Sequence, residues 1–238
     1  MATKIRLGAI EAEVILKDIK NVHLSVHPPT GRVRIAAPAR MKLDTIRVFA
    51  ISKLGWIKQQ QKKLAVQRRE TQREYLDRES HYVWGRRYLL TVIHHDAKPR
   101  VTLSPRRLTL CVRPGSDQSK RAEVIHDWHK SLLHEAIPTL IHKWAPRLGV
   151  EVAGYSIQRM KTKWGTCNHR AGRIRLNTEL VKKPRDLLEY VVVHELAHLL
   201  EPTHNDRFIA ILEKHYPNWR ETRAELNELP LAAESWKQ

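Results

Sequence analysis

Disulfide chemistry is nearly absent from this sequence, which has two cysteines, Cys111 and Cys167, in 238 residues. Two are too few for a disulfide framework, so a reduced, cytoplasmic setting is the expectation. Long apolar runs are missing as well. None approaches the roughly 20 residues that cross a bilayer, and no membrane partner is expected. The first 17 residues set Lys4, Arg6, Glu11 and Glu13 among short apolar pairs, without the uninterrupted stretch of a secretory signal. Acidic residues are scarce: 25 Asp and Glu stand against 43 Lys and Arg, leaving a formal charge of +18. That field attracts polyanions, nucleic acid among them.

The rest of the composition is that of a globular protein, with 42% hydrophobic and 29% charged residues. The length allows one large domain or two small ones. Val22 to His27 and Arg32 to Ala36 alternate apolar and polar residues around Pro28-Pro29-Thr30-Gly31, which predicts a β-hairpin. From Leu43 to about Leu64 the residues Ile46, Phe49, Ala50, Leu54, Ile57 and Leu64 recur at helical spacing and predict one long helix. It continues into Lys62, Lys63, Arg68, Arg69 and Arg73, which read as a solvated face. Tyr82 to Ile93 and Arg100 to Arg113 predict short strands.

After Pro114-Gly115-Ser116 the texture changes. Val124, Ile125, Trp128, Leu132, Ala136, Leu140 and Trp144 predict a helix capped by Ser116 or Asp117, kinked or split at Pro138. This change divides an accessory part, 1–115, from a catalytic part, 116–238. Tyr155-Ser156-Ile157 and Ile174-Arg175-Leu176 predict strands, Pro184 to Leu200 a helix, and 206–215 and 219–229 two closing helices. No internal repeat stands out.

The predicted helix ending at Leu200 carries His194-Glu195-Leu196-Ala197-His198. Histidines four residues apart share a helix face and reach one ion. Glu195, beside the first ligand, is placed to reach a metal-bound water, which zinc acidifies to a pKa of about 7. Every other residue from Tyr190 to Leu200 is apolar or aromatic, so the helix should be buried, and three ionisable groups inside it need partners or a metal. Pro202 stops the helix and His204 follows, which favours His204 as third ligand. Glu201 competes for that role, and Glu221 or Glu225 would be a version supplied from the last helix.

Lys161-Thr162-Lys163-Trp164-Gly165-Thr166-Cys167, then Ile174-Arg175-Leu176-Asn177, then Tyr190 to His198, then His204 and Phe208, form an ordered set of motifs. Together they resemble the YgjP-like metallopeptidase family, itself similar to the SprT proteases. The departures are Thr203, Asn205 and Lys163, where the family often has Asn, Ser and Arg. The resemblance implies an α+β chain: a β-rich N-terminal part with a long helix, then a minimal zincin-like domain with the metal site on a buried helix. It implies Zn2+ on His194, His198 and His204, Glu195 as catalytic base, and a polypeptide substrate. Lys163, Trp164 and Gly165 are candidate substrate contacts, since a strand beside the metal helix would hold an extended peptide. Trp164 as a core anchor weighs equally, and Cys167 as an inhibitory fourth ligand is a minor alternative.

The expected chemistry is therefore metal-assisted amide hydrolysis, with Tyr155, Lys163, His215, Tyr216 or Arg223 as oxyanion partner. The rivals are a zinc hydrolase of non-peptide amides, a DNA-associated protein, and a structural zinc site. Of the other histidines, His129 is expected to face the core, and His94, His95, His126, His134 and His142 the surface. Oligomeric state is not legible.

Overall fold

The computed structural model describes residues 2–27, 31–66, 73–160 and 163–229. The chain is α+β, with six α-helices and three sheets among the described residues. None of the helices is long and apolar enough to cross a membrane. The chain forms two compact units, residues 1–68 and 69–238.

In the first unit, β1 (Ala2–Leu7), β2 (Ile10–Lys17), β3 (His23–His27) and β4 (Arg32–Pro38) form a sheet in the order β1-β2-β4-β3. The expected hairpin is the antiparallel β3–β4 pair, and β2 joins β4 in parallel. Of its turn, Pro28, Pro29 and Thr30 lie outside the described residues. Strict alternation along β2 and β4 sends Ala12, Val14, Val33, Ile35 and Ala37 into a core closed by Ile46, Ala50 and Ile57. The expected long helix is two, α1 (Leu43–Ser52) and α2 (Leu54–Val66). Lys53 leaves helical geometry at φ −102° and ψ 7°, and its N–H donates to Ala50 and Ile51. Lys62 is exposed, as expected of a solvated face, whereas Arg68, Arg69 and the side chain of Lys63 lie outside the described residues.

The second unit begins with β5 (Ser80–Val83), β6 (Arg86–His94), β7 (Arg100–Leu103) and β8 (Arg107–Val112), in the order β5-β6-β8-β7. Its senses match the first sheet: an antiparallel pair, a parallel junction, then a second antiparallel pair. Residue alternation alone left this shared topology invisible, because the side chains that fill the two sheets differ. Helix α3 (Gln118–Leu148) follows, with Asp117 as N-cap accepting from the Lys120 N–H at 2.8 Å. It is not split at Pro138. Leu133, Ile137, Trp144 and Leu148 are buried along it, and that packing outweighs the one backbone hydrogen bond a proline removes.

Near residue 115, where the texture of the sequence changes, this unit passes from the strand β8 to the helix α3. Ile125 of α3 shares a core with Leu90, Leu108 and Leu110 of the sheet. The hairpin turn Trp84-Gly85 donates to the carbonyls of Val181 and Lys182. The last sheet runs β10-β11-β9, from β9 (Gly154–Gln158), β10 (Gly165–Asn168) and β11 (Arg173–Asn177). Strand β10 is therefore an edge. A 3-10 helix (Thr178–Lys182) leads to α4 (Arg185–Ala197), α5 (Asp206–His215) and α6 (Trp219–Glu228).

Candidate metal centre

Helix α4 begins after Pro184, whose fixed φ of −50° suits a helix entry, with Asp186 in its first turn favouring the positive dipole end. Leu187, Leu188, Tyr190 to Val193, Glu195, Leu196 and Ala197 are buried, as the apolar run predicts. His198 is the C-cap, and the Leu199, Leu200 and Glu201 N–H groups fold back onto Leu196 and Ala197 carbonyls. The chain then reverses through Pro202, and Asn205 caps α5 by accepting from the Phe208 N–H at 3.1 Å. That reversal carries His204 back over α4.

His194, His198 and His204 bring ring nitrogens within 4.8 Å of one another. His204 Nε2 and His194 Nε2 are 3.0 Å apart. A tetrahedral zinc with nitrogens about 2.0–2.1 Å away separates its ligands by about 3.3 Å, so this spacing is close to what such an ion needs. The rings are oriented from behind. His198 Nδ1 donates to the Glu201 carbonyl at 3.0 Å, which leaves its Nε2 as a lone pair. The Tyr190 hydroxyl lies 3.4 Å from His194 Nδ1. The Phe208 ring stacks on His198, with centroids 4.5 Å apart, and meets His194 and His204 edge-on at 5.0 and 4.8 Å. Tyr190 and Phe208 belong to the motif, but spacing alone assigned them no task.

Burial keeps these imidazoles neutral, as metal ligation requires. It pushes His194 down to about 3, helped by His198, His204 and Arg223. His198 and His204 are lowered chiefly by burial too. Glu195 is 4% exposed, and burial raises its carboxyl to about 8, against the pull of Lys163.

The other candidates separate clearly. The Glu201 carboxylate accepts from the Thr203 N–H at 3.3 Å and hydroxyl at 3.0 Å, and it is outside the histidine cluster. Glu221 and Glu225 are exposed on α6 and also outside it. So is Cys167, whose thiol burial pushes up to about 11. Gly165 lies against Glu195, and Lys163 acts on that carboxyl through its charge. Trp164 packs against the core, with Lys183 Nζ 5.6 Å from its ring centroid. Lys161 and Thr162 lie outside the described residues. Tyr155 pairs with His134 at 3.1 Å instead.

A model of the YgjP-like metallopeptidase domain matches residues 20–229. The chain belongs to the YgjP-like metallopeptidase family. Two solved structures are similar to part of this YgjP-like chain. One is the metallopeptidase zymogen abylysin of Pyrococcus abyssi, 23% identical, covering 38% of this chain and 90% of that one, with a TM-score of 0.36. The other is the zymogen jannalysin of Methanocaldococcus jannaschii, 23% identical, covering 38% and 92%, with a TM-score of 0.34. A search of curated proteins finds no match.

Proposed function

We propose that this YgjP-like metallopeptidase is a zinc-dependent peptidase whose minimal zincin-like part lies within residues 116–238. Three neutral imidazoles with ring nitrogens inside 4.8 Å, beside a buried carboxyl on the same helix, carry the reading. His194, His198 and His204 would hold Zn2+. Three protein ligands leave a coordination position open, which favours catalysis over a structural zinc. Bound there, zinc supplies a Lewis acid for the scissile carbonyl and acidifies a water.

The chain's own residues do the rest. Glu195 takes the proton of the attacking water and delivers it to the leaving nitrogen. Lys163 pulls the Glu195 carboxyl down against the burial that raises it to about 8, and the charge of a bound Zn2+ would pull it the same way, toward the ionised base. Arg223 is the oxyanion partner favoured among the five candidates, because its charge reaches His194 and His204. The free edge of β10 would hold an extended peptide by backbone pairing, with Gly165 closest to Glu195. The test is Glu195→Gln: zinc content unchanged and cleavage of a peptide library abolished. Full cleavage by that variant, or hydrolysis of small amides with none of peptides, would sink the reading.

A nucleic-acid partner is a second reading, favoured by where the charge lies. Residues 1–68 hold 14 Lys and Arg against 4 Asp and Glu, a net of +10. DNA affinity that falls steeply with salt is the expected result, and a flat profile would exclude it.

A further inference from the structure

A second polar site lies apart from the histidine cluster. A cavity of about 300 Å³ opens among the 3-10 helix, α3 and the approach to β5, and shares no residue with His194, His198 and His204. Arg73, Arg159 and Lys182 line it from three separate segments, facing the carboxylates Glu123 and Glu179. Glu123 is 2.8 Å from Lys120, and Glu179 is 2.6 Å from Lys182. Arg73 is 4.0 Å from its nearest carboxylate, Glu79, at the limit of an ion pair.

His129 sharpens the picture. It is 5% exposed, lines the cavity, and its Nε2 is buried without a hydrogen-bond partner. Buried polar atoms are almost always paired, so an orphan facing a cavity marks a place for a ligand atom. His126, three residues earlier on the same face of α3, lines the cavity too and is half-buried, where a surface position was expected. Burial, with Lys182, His81 and His126, holds His129 neutral, so Nε2 can carry a proton to donate.

We propose that this cavity binds a small molecule bearing an oxyanion, a phosphate or a carboxylate. Arg73 and Arg159 face the oxyanion, and His129 Nε2 donates to it. Guanidinium groups match both oxyanions bidentately, which a lone lysine does not. The volume is at the lower end for ligand pockets of about 300–1,000 Å³ and exceeds the need of a bare ion. Tyr75 and Tyr82 on the lining can flank the organic part.

The test is calorimetric titration of the full chain with inorganic phosphate and, separately, acetate at constant ionic strength. One-to-one saturable binding of either supports the site, and the tighter of the two names the class. Arg159→Gln and Arg73→Gln are each expected to weaken it by about tenfold or more. His129→Leu, which needs no partner for a buried nitrogen, should lose the same binding while staying folded. Lys98→Gln, an exposed lysine outside the cavity, should leave it unchanged. No saturable binding of either probe would overturn the proposal. So would equal losses in all four variants, which would mean diffuse attraction to a basic surface.

Discussion

The backbone of Gly165 lies so close to Glu195 that a Cβ there would sit 2.5 Å from the carboxylate Oε1 and 2.7 Å from Cγ. Edge strand β10 and helix α4 are therefore in register through a missing side chain. Gly165→Ala must move the carboxyl or the strand. Because displacements of about 1 Å cost on the order of a hundredfold in rate, kcat should fall by at least tenfold with zinc content intact. Peptide cleavage at wild-type kcat by that variant would mean that Glu195 moves freely and that its position does not govern the reaction.

The third ligand is decided by metal analysis. His204→Ala should lose most of the zinc, since two histidines cannot retain it as three do. Glu201→Ala should keep zinc, because its carboxylate is spent on Thr203 and the Glu201 group that orients His198 is the backbone carbonyl. Retention in the first variant and loss in the second would reverse the assignment.

Much of this candidate site is legible in the sequence alone. The i, i+4 spacing puts His194 and His198 on one face whatever surrounds them, and Pro202 forces the turn that returns His204. Local signals also yielded the β3–β4 hairpin and the Asp117 cap. What was not legible depended on distant contacts. The break at Lys53 lies inside an unbroken apolar period, so only packing against the first sheet reveals it. Pro138 reads as a helix breaker locally, yet α3 persists because residues on both sides of it are buried. The Tyr190 hydroxyl stands 3.4 Å behind His194 Nδ1, and nothing in the motif says that a phenol, rather than a carboxylate, takes that place.

Tyr190→Phe isolates that orienting contact. The ring stays to fill its buried site, and only the hydroxyl 3.4 Å from His194 Nδ1 is lost. Outer partners of metal ligands are worth about 10–100-fold in metal affinity, so zinc Kd should rise within that range. An unchanged Kd in a chelator competition would show that the hydroxyl does not orient His194.

Asn177 ties the approach to β10 together. Its side chain donates to the carbonyls of Met160 at 2.9 Å and Lys163 at 2.8 Å, and accepts from the N–H groups of Met160 and Glu179. The residue is fully buried. Asn177→Ala should therefore cost about 2–4 kcal/mol in urea unfolding, at roughly 1 kcal/mol per lost bond with some carbonyls left unpaired. A cost below about 1 kcal/mol would mean that the backbone re-pairs by itself.

Acid should loosen the second unit through His129, and the sign follows from its burial. The folded state holds His129 well below its ordinary value, mainly by desolvation, whereas the unfolded chain protonates it near 6.5. Its contribution is thus complete above about pH 6.5 and is lost as pH falls below it. The pH window that reads this loss runs from 7.5, above that value, to 5.5, below it. The depressed His194, His198 and His204 lose stability in the same direction in metal-free protein, so the informative quantity is a difference between variants. His129→Leu should show a smaller drop than wild type in urea titrations at the two pH values. Parallel drops would mean that His129 is reached by protons without unfolding, and that the cavity it lines opens readily to water.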